Sequence, residues 1–514
     1  MPAPSFDLRT RPWLLTRPLG VGAEVKQLGL HDVLTHAHEL ADVEVPLPPA
    51  TSGLWRLLAM LTARVTGLDT AENQDEWLER RGQLLRRGQL PEADIDTYFS
   101  RYDQRFDLFH PERPWMQDPR LRAECGKAAG VNKLVWGRPA GNNAVWLGHH
   151  VDADPAPVTS AEAAWSLVAW LYYGASGLCS RRVVGDTSKS NVTAGPIRRV
   201  VSFHPAGPSL FHSLVLNIPY PGDETEDTPA PWETQELPDP LGLPPSGEGL
   251  AGVLVSRYRH ALLLEPSADG SEVTDAWITW AWRQPAPDVP DPYVIYDTSQ
   301  AGAPYARRAS ADRAVWRDLD SLLRPNSRDG GARRPAILDL CGPSMDVPRD
   351  IRDQLTLRAF GFEQDGQTRD RQWFATATPP VLHWLTDAEA GAEPEATNQI
   401  LQLRDAAEQS GRALRKALVN GWQKAMGVGE GEGPWVRHGL PRYWRRAERE
   451  FWRSAFAEST SGPGNTFIHL AVQVFEHVTE PYARRPRVAE ALEQVRRGLY
   501  SGWVPPTPPP EEPQ

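Results

Sequence analysis

Cysteine is nearly missing from this chain. Only Cys125, Cys179 and Cys341 occur in 514 residues, far apart and without a C-x-x-C pair. That argues against a disulfide framework or a cysteine-rich zinc site and fits a reduced compartment. Long apolar runs are missing too: nothing approaches the ~20 residues that span a bilayer. The opening MPAPSFDLRTRPW holds no apolar signal core. A cytoplasmic protein without membrane spans is expected. Positive charge is also short, with 55 Lys and Arg against 66 Asp and Glu, a net −11 and a pI near 5.7. Coating nucleic acid through bulk charge is therefore not expected. Local basic patches remain open, because the acidic excess is concentrated. Asp223, Glu224, Glu226, Asp227, Glu233, Glu236, Asp239 and Glu248 crowd a Pro-rich stretch, 220–250, that has no Lys or Arg. A long surface excursion or partly disordered loop is expected there.

What the chain does have is tryptophan and proline, 20 and 49 respectively. Proline at that level implies many fixed turns. Trp136, Trp146, Trp232 and Trp435 stand in polar surroundings. They read either as rings at an interface with one end wet, or as core anchors. The most informative stretch is 133–182. It begins KLVWGRPAGNNAVWLGHHVDAD, where glycines and asparagines interrupt any period and Lys133 and Arg138 alternate with Trp136 and Trp146. Aromatic faces beside cations on a permissive backbone suit single-stranded nucleic acid. The stretch ends LYYGASGLCSRR, with Gly174 and Gly177 just ahead of Arg181 and Arg182. His149, His150, Asp152 and Asp154 within HHVDAD offer metal-ligand chemistry and, with it, a metal-dependent hydrolase as a second reading. Against that, the tract is single, with no partner motif at a familiar spacing.

The spacing of apolar residues predicts the rest. Residues 51–67 form a helix burying Leu54, Leu57, Leu58, Leu61 and Val65 on one face, with Thr51 or Ser52 as cap. Residues 160–173 form another, capped by Ser160 and ending at Gly174 in a C′ position, with a helix-to-loop exit beyond. The run 209–219 reads as a buried strand. A β-hairpin comes next, turning at Asp269-Gly270, with Arg257, Arg259 and Arg283 making it locally basic. Residues 313–323 read as a helix, AILDLCGPS as a short strand or apolar segment, and 355–382 as two strands around the loop EQDGQTRDR. Gln364 and Gln367 in that loop can read base edges, and Gly366 lets the tip come close; a solvated turn is the plainer reading. HPERPWMQDP (110–119) reads as a packed loop rather than a ligand site. From 394 the pattern becomes four helices with short connections, a bundle. Arg412, Arg415, Lys416, Arg445 and Arg446 lie on faces that either meet phosphate or are simply solvated. The fold expected is α+β: a large mixed domain over 1–385, a four-helix bundle over 394–503, and a disordered tail over 504–514.

These pieces in this order resemble CasA, the family of large subunits of the type I-E CRISPR complex Cascade. The resemblance rests on FDLRTRPWLL, LWRLLAML, HPERPWMQ, KLVW and AGNNAVWLGHH, AEAAWSLVAWLYYGASG, SLVLNI, DRAVWRDLDSLL, LRAFGF, PRYWRRAEREFW and EPYA. It implies a non-enzymatic subunit with no cofactor. Such a subunit sits beside the 5′ end of the guide RNA, recognises the PAM in double-stranded target DNA, helps open the duplex and docks a helicase–nuclease. Target sequence is then read by guide pairing. AGNNAVWLGHH matches the loop that anchors the family to the guide side of the complex, which implies roles for Asn142, Asn143, Trp146 and Leu147. SGLCS matches the glycine loop facing the PAM minor groove, with Gly177 the best match and Gly174 and Ser176 beside it. Gln367, or Gln364 if the alignment slips, matches a glutamine wedge below the PAM. The family's lysine finger at the hairpin near EPSADGSE has no lysine here; either Arg257, Arg259 or Arg283 replaces it, or the contact is absent. The Cys-rich zinc-binding insertion of some relatives is absent as well.

Overall fold

The computed structural model describes residues 3–20, 22–140, 148–222, 228–310, 312–325, 331–365, 369–386, 394–457 and 463–500. The chain divides into two compact units, Met1–Ala311 with Arg324–Asp387, and Asp312–Leu323 with Ala388–Gln514. Its mixed α/β part carries several small sheets, and its C-terminal part is a bundle of four mutually contacting helices.

In the mixed unit the strand Leu14–Pro18 pairs antiparallel with both Lys26–Leu28 and Leu40–Glu44. The central helix, Pro48–Thr66, starts earlier than its apolar spacing suggests. Pro48 and Pro49 hold the first turn at helical φ, so neither Thr51 nor Ser52 is the cap. Its side chains are buried without a break from Pro49 to Ala63, all round rather than on one face. Gly67, at φ 67, ends it in the left-handed region that glycine adopts freely. The helix Ser160–Tyr173 packs against it. There the cap is Thr159, one residue ahead of the expected Ser160: its hydroxyl accepts from Glu162 N at 3.3 Å and donates to Glu162 Oε2 at 3.0 Å. Ser160 instead donates to the Gly270 carbonyl at 2.8 Å, tying the helix start to the hairpin tip.

Charge is buried beside this helix pair. Arg56 donates twice to Asp291, at 2.9 and 3.1 Å, and lies 4.6 Å over the Tyr293 ring. His204 stacks on the same ring, centroids 4.4 Å apart. Burial, then Arg56, pushes His204 down to about 3, so it stays neutral.

The run 209–219 is a helix, Leu210–Leu216, not a strand. Ser209 caps it by accepting from His212 N, and Asn217 closes its end through bonds to Pro205 O and Ser213 O. An apolar run buried on every side carries no period, so composition alone cannot tell helix from strand. AILDLC likewise holds a short helix, Ala336–Asp339, rather than a strand. The expected strand pair is present: Thr356–Asp365 pairs antiparallel with Arg369–Ala377 and with Val201–Ala206. The acidic stretch is not wholly loose either. Trp232 and Glu233 are buried, and Arg64 grips Glu233 at 2.9 Å, so the missing cation comes from the central helix.

The helical unit contains Glu395–Met426, Gly433–Ala455, Pro463–Thr479 and Pro486–Arg496. Residues 312–323 belong with it. They form a 3-10 turn, Val315–Asp318, running into the helix Leu319–Leu323. Trp316 stacks on Phe451 with centroids 4.7 Å apart, and Arg317 bonds Glu408 at 2.6 Å while covering Trp444 at 3.5 Å.

Candidate nucleic-acid interface

The helix Ser160–Tyr173 delivers the chain to Gly174. This glycine sits at φ −50, so it is not the left-handed C′ residue expected. It is glycine for want of room: a Cβ there would run into the His260 ring. His260 is fully buried and its Nε2 meets the Ala175 carbonyl at 3.0 Å. Burial pushes it down to about 4, so Nε2 carries the hydrogen and donates to that carbonyl. The segment leading to Ser176 and Gly177 is thus fastened from below.

Beyond Ser176 the chain forms a second hairpin rather than a loop, Gly177–Val184 paired with Thr187–Val192. Gly177 has φ 126, a conformation nearly closed to other residues. Leu178, next to it, is 89% exposed, and Arg181 and Lys189 are exposed as well. The register slips between Leu178 and Arg182, which turns the two arginines to different environments. Arg181 borders a shallow depression with Lys127 and Val183. Arg182 corrects the expectation of a DNA contact, since it has no exposed surface. It bonds Asp118 at 2.7 Å, Glu124 at 2.6 Å and the Trp280 carbonyl at 3.1 Å. Burial would raise Asp118, but Arg120 and Arg182 hold its carboxyl below the ordinary range. Arg182 is the peg of the hairpin. Thr279 Oγ1 donating to Ser180 O at 2.6 Å and Trp280 Nε1 donating to Lys189 O at 3.1 Å reinforce it.

The hairpin His260–Pro266 with Glu272–Trp280 forms as expected, with Gly270 at φ 73 in its turn. None of the three arginines weighed for the missing lysine is at that tip. Register puts His260 opposite Trp280, so Arg257, Arg259 and Arg283 flank the far end. Arg257 pairs with Asp291 at 3.5 Å, and Arg283 lies 5.2 Å over Trp280 while bonding Asn191 O. The tip is acidic and self-closed: Asp269 accepts from Ser267 Oγ and from the Ser271 amide and hydroxyl. Those bonds, Ser267's first, hold its carboxyl at about 2.

Asn142, Asn143, Trp146 and Leu147 lie outside the described residues, as does Gln367. Gln364 is described: it is half-buried on the strand Thr356–Asp365, immediately after a bulge, opposite Asp370. Trp136 is not a free stacking platform. It packs against Trp170, Phe362 and Trp373 at centroid distances of 5.6 to 5.8 Å, with Arg198 over its face. Trp232 and Trp435 are core residues too. In the helical unit Lys416 is exposed, and Arg415 is exposed but paired with Glu432. The HHVDAD tract does not converge. His149, Asp152 and Asp154 are exposed, Asp152 accepts from Asn132 at 3.1 Å, and no group of three metal-binding side chains gathers among the described residues. No helix among them is long and apolar enough to cross a membrane.

Comparison with known proteins extends this picture. Residues 7–472 match the family model of CRISPR-associated protein Cse1. A relative from Thermus thermophilus, described as CRISPR-associated protein CasA/Cse1, is 28% identical over 374 residues, 70% of this chain and 68% of its own. A solved chain of a CRISPR RNA-guided surveillance complex is 52% identical, covering 97% of this chain and 100% of its own with a TM-score of 0.88. Thermobifida fusca Cse1, 18% identical, covers 97% of this chain and 98% of its own at a TM-score of 0.76, a likeness of fold.

Proposed function

The chain belongs to the Cse1 (CasA) family, the non-catalytic large subunits of type I-E Cascade, and from that membership we propose that it recognises the PAM of duplex DNA through the Gly177–Val192 hairpin. The observation that carries the reading is the presentation of Gly177, Leu178 and Arg181. A side-chain-free residue at φ 126 allows close approach to a groove floor, and an exposed cation stands four residues on. Gly174 and Ser176 shape the approach. Arg182 holds the hairpin from inside. Once the PAM is bound, Gln367, or Gln364 at the strand end, enters below it and disturbs the first base pair. Unstacking there costs a few kcal/mol, offset by contacts to the opened DNA. Asn142, Asn143, Trp146 and Leu147 attach the subunit to the guide RNA and its neighbouring subunits. Arg415 and Lys416 meet phosphate, and the assembled surface recruits the helicase–nuclease.

The test is assembly with the co-encoded subunits and a guide, then binding to a randomised PAM library. A short preferred motif is expected. Gly177→Ala should weaken binding of that motif about tenfold or more, because strain at positive φ costs ~1–3 kcal/mol, while co-purification is kept. Gln367→Ala should lower R-loop yield more than duplex binding. A wild-type complex with no motif preference would sink the reading.

A further inference from the structure

Apart from the hairpin, the mixed unit holds a cavity of about 250 Å³ that the proposed function does not use. One wall is the loop 114–118, where Met116 is held at φ 56, an uncommon conformation for a residue with a side chain. The facing wall is the Pro-rich excursion, through Pro229, Pro231 and Pro238. Trp115, Tyr258 and Trp282 supply flat rings, with Tyr258 and Trp282 centroids 5.9 Å apart. The excursion is strapped in place by three arginines that also line the cavity. Arg113 donates to Thr234 O at 2.8 Å and Gln235 O at 3.0 Å, Arg120 to Pro238 O at 2.9 Å, and Arg105 to Gln235 Oε1 at 3.3 Å.

Two features of this lining ask for an acceptor. Among the described residues the Trp115 indole N–H, on a residue only 3% exposed, has no hydrogen-bond partner, and neither has the buried Arg105 Nη1. A buried donor left unmade costs ~1–3 kcal/mol, and such atoms are ordinarily met by water or a ligand. Charge points the same way. Of the two carboxylates in the lining, Asp118 is occupied by Arg120 and Arg182 and Glu236 is exposed, and among the described residues neither Arg105 nor Arg113 forms an ion pair. Burial and the neighbouring Arg105 and Arg120 together depress Arg113, the mark of crowded cations. Aromatic walls, unmet donors and surplus guanidinium groups form the usual chemistry of a pocket for a flat ring that carries an anion.

We propose that this cavity binds a nucleotide, its base against Trp115 and Trp282 and its phosphate toward Arg105 and Arg113. The nucleotide is either free or one turned out of a bound strand; the chemistry is the same. The inference is independent of the PAM reading, because the cavity and the exposed hairpin face are lined by different side chains except at their shared support.

Calorimetric titration of the full chain tests it with AMP, adenosine and inorganic phosphate as probes. One AMP per chain is expected, with adenosine and phosphate each at least about tenfold weaker, since each forfeits one half of the site. Arg105→Gln, which gives up one long bond to Gln235, should weaken AMP by about tenfold and leave adenosine unchanged. The wild-type series decides the matter should that variant fail to fold. Saturating AMP added to the assembled complex separates the sources: reduced duplex affinity identifies a strand nucleotide, unchanged affinity a free one. No saturable AMP binding, or equal binding of AMP and adenosine, overturns the proposal.

Discussion

Two hairpins lie side by side in the mixed unit, and their designs are opposite. The one turning at Asp269-Gly270 spends its polar groups on itself. Its tip carboxylate is taken by Ser267 and Ser271, and its turn glycine backs onto the Ser5 backbone. The one starting at Gly177 pairs strand to strand but is anchored through bonds to its neighbours. It has a broken register, and Leu178, Arg181 and Val183 face outward. It keeps its shape because the first hairpin holds it, through Arg182, Thr279 and Trp280. A surface meant to meet a ligand need not be rigid in itself if a neighbour carries the rigidity.

The comparison breaks most severely at the peg. Arg182→Ala takes the cation from Glu124 and leaves Asp118 with Arg120 alone, and removing one partner of a buried pair costs about 3–5 kcal/mol. Thermal unfolding should show a large drop in melting temperature, and a variant as stable as wild type would mean that the hairpin is held some other way. A smaller effect probes the support under Gly174. His260 is depressed to about 4 from an ordinary 6.5, so the unfolded chain binds the proton first. Its contribution is whole above about pH 6.5 and is lost as pH falls toward 4. Denaturant midpoints should decline across that window, and His260→Gln should flatten the decline. The smallest effect belongs to the exposed neighbour. Arg181→Ala should leave melting unchanged and lower the salt dependence of DNA binding by about one phosphate contact. An unaltered slope would place the DNA elsewhere.

Arg181 and Arg182 also mark how far the sequence could be read. Adjacent and identical, they offered no hint that one is a surface charge and the other a buried peg, because the carboxylate partners of Arg182, Asp118 and Glu124, lie some sixty residues away. A longer separation, 169 residues, hid the hold of Arg64 on Glu233. Where signals are local, reading succeeded. The turn at Asp269-Gly270, the helix 160–173 and the four C-terminal helices all announce themselves through spacing and turn chemistry. Where burial is complete, as in Leu210–Leu216 and Ala336–Asp339, periodicity vanishes and so did the distinction between helix and strand. The cavity was the least legible feature. HPERPWMQDP reads as a packed loop, and it is one, yet its outer wall comes from the Pro-rich excursion more than a hundred residues later.

The placement of residues 312–323 bears on how the molecule is made. The chain leaves the mixed unit for those twelve residues, returns to it, and leaves again after Asp387. During synthesis Trp316 therefore emerges well before Phe451 and Trp444, the rings it will lie against, exist. An indole destined for a core must wait in solvent or in a provisional contact, a state in which nascent chains are prone to associate wrongly. A fragment beginning near residue 388 would lack the Trp316 and Arg317 plug and expose the ground beneath it. The residues of the helical unit thus come in two instalments in the order of translation, and the bundle should be the last part of the protein to become stable.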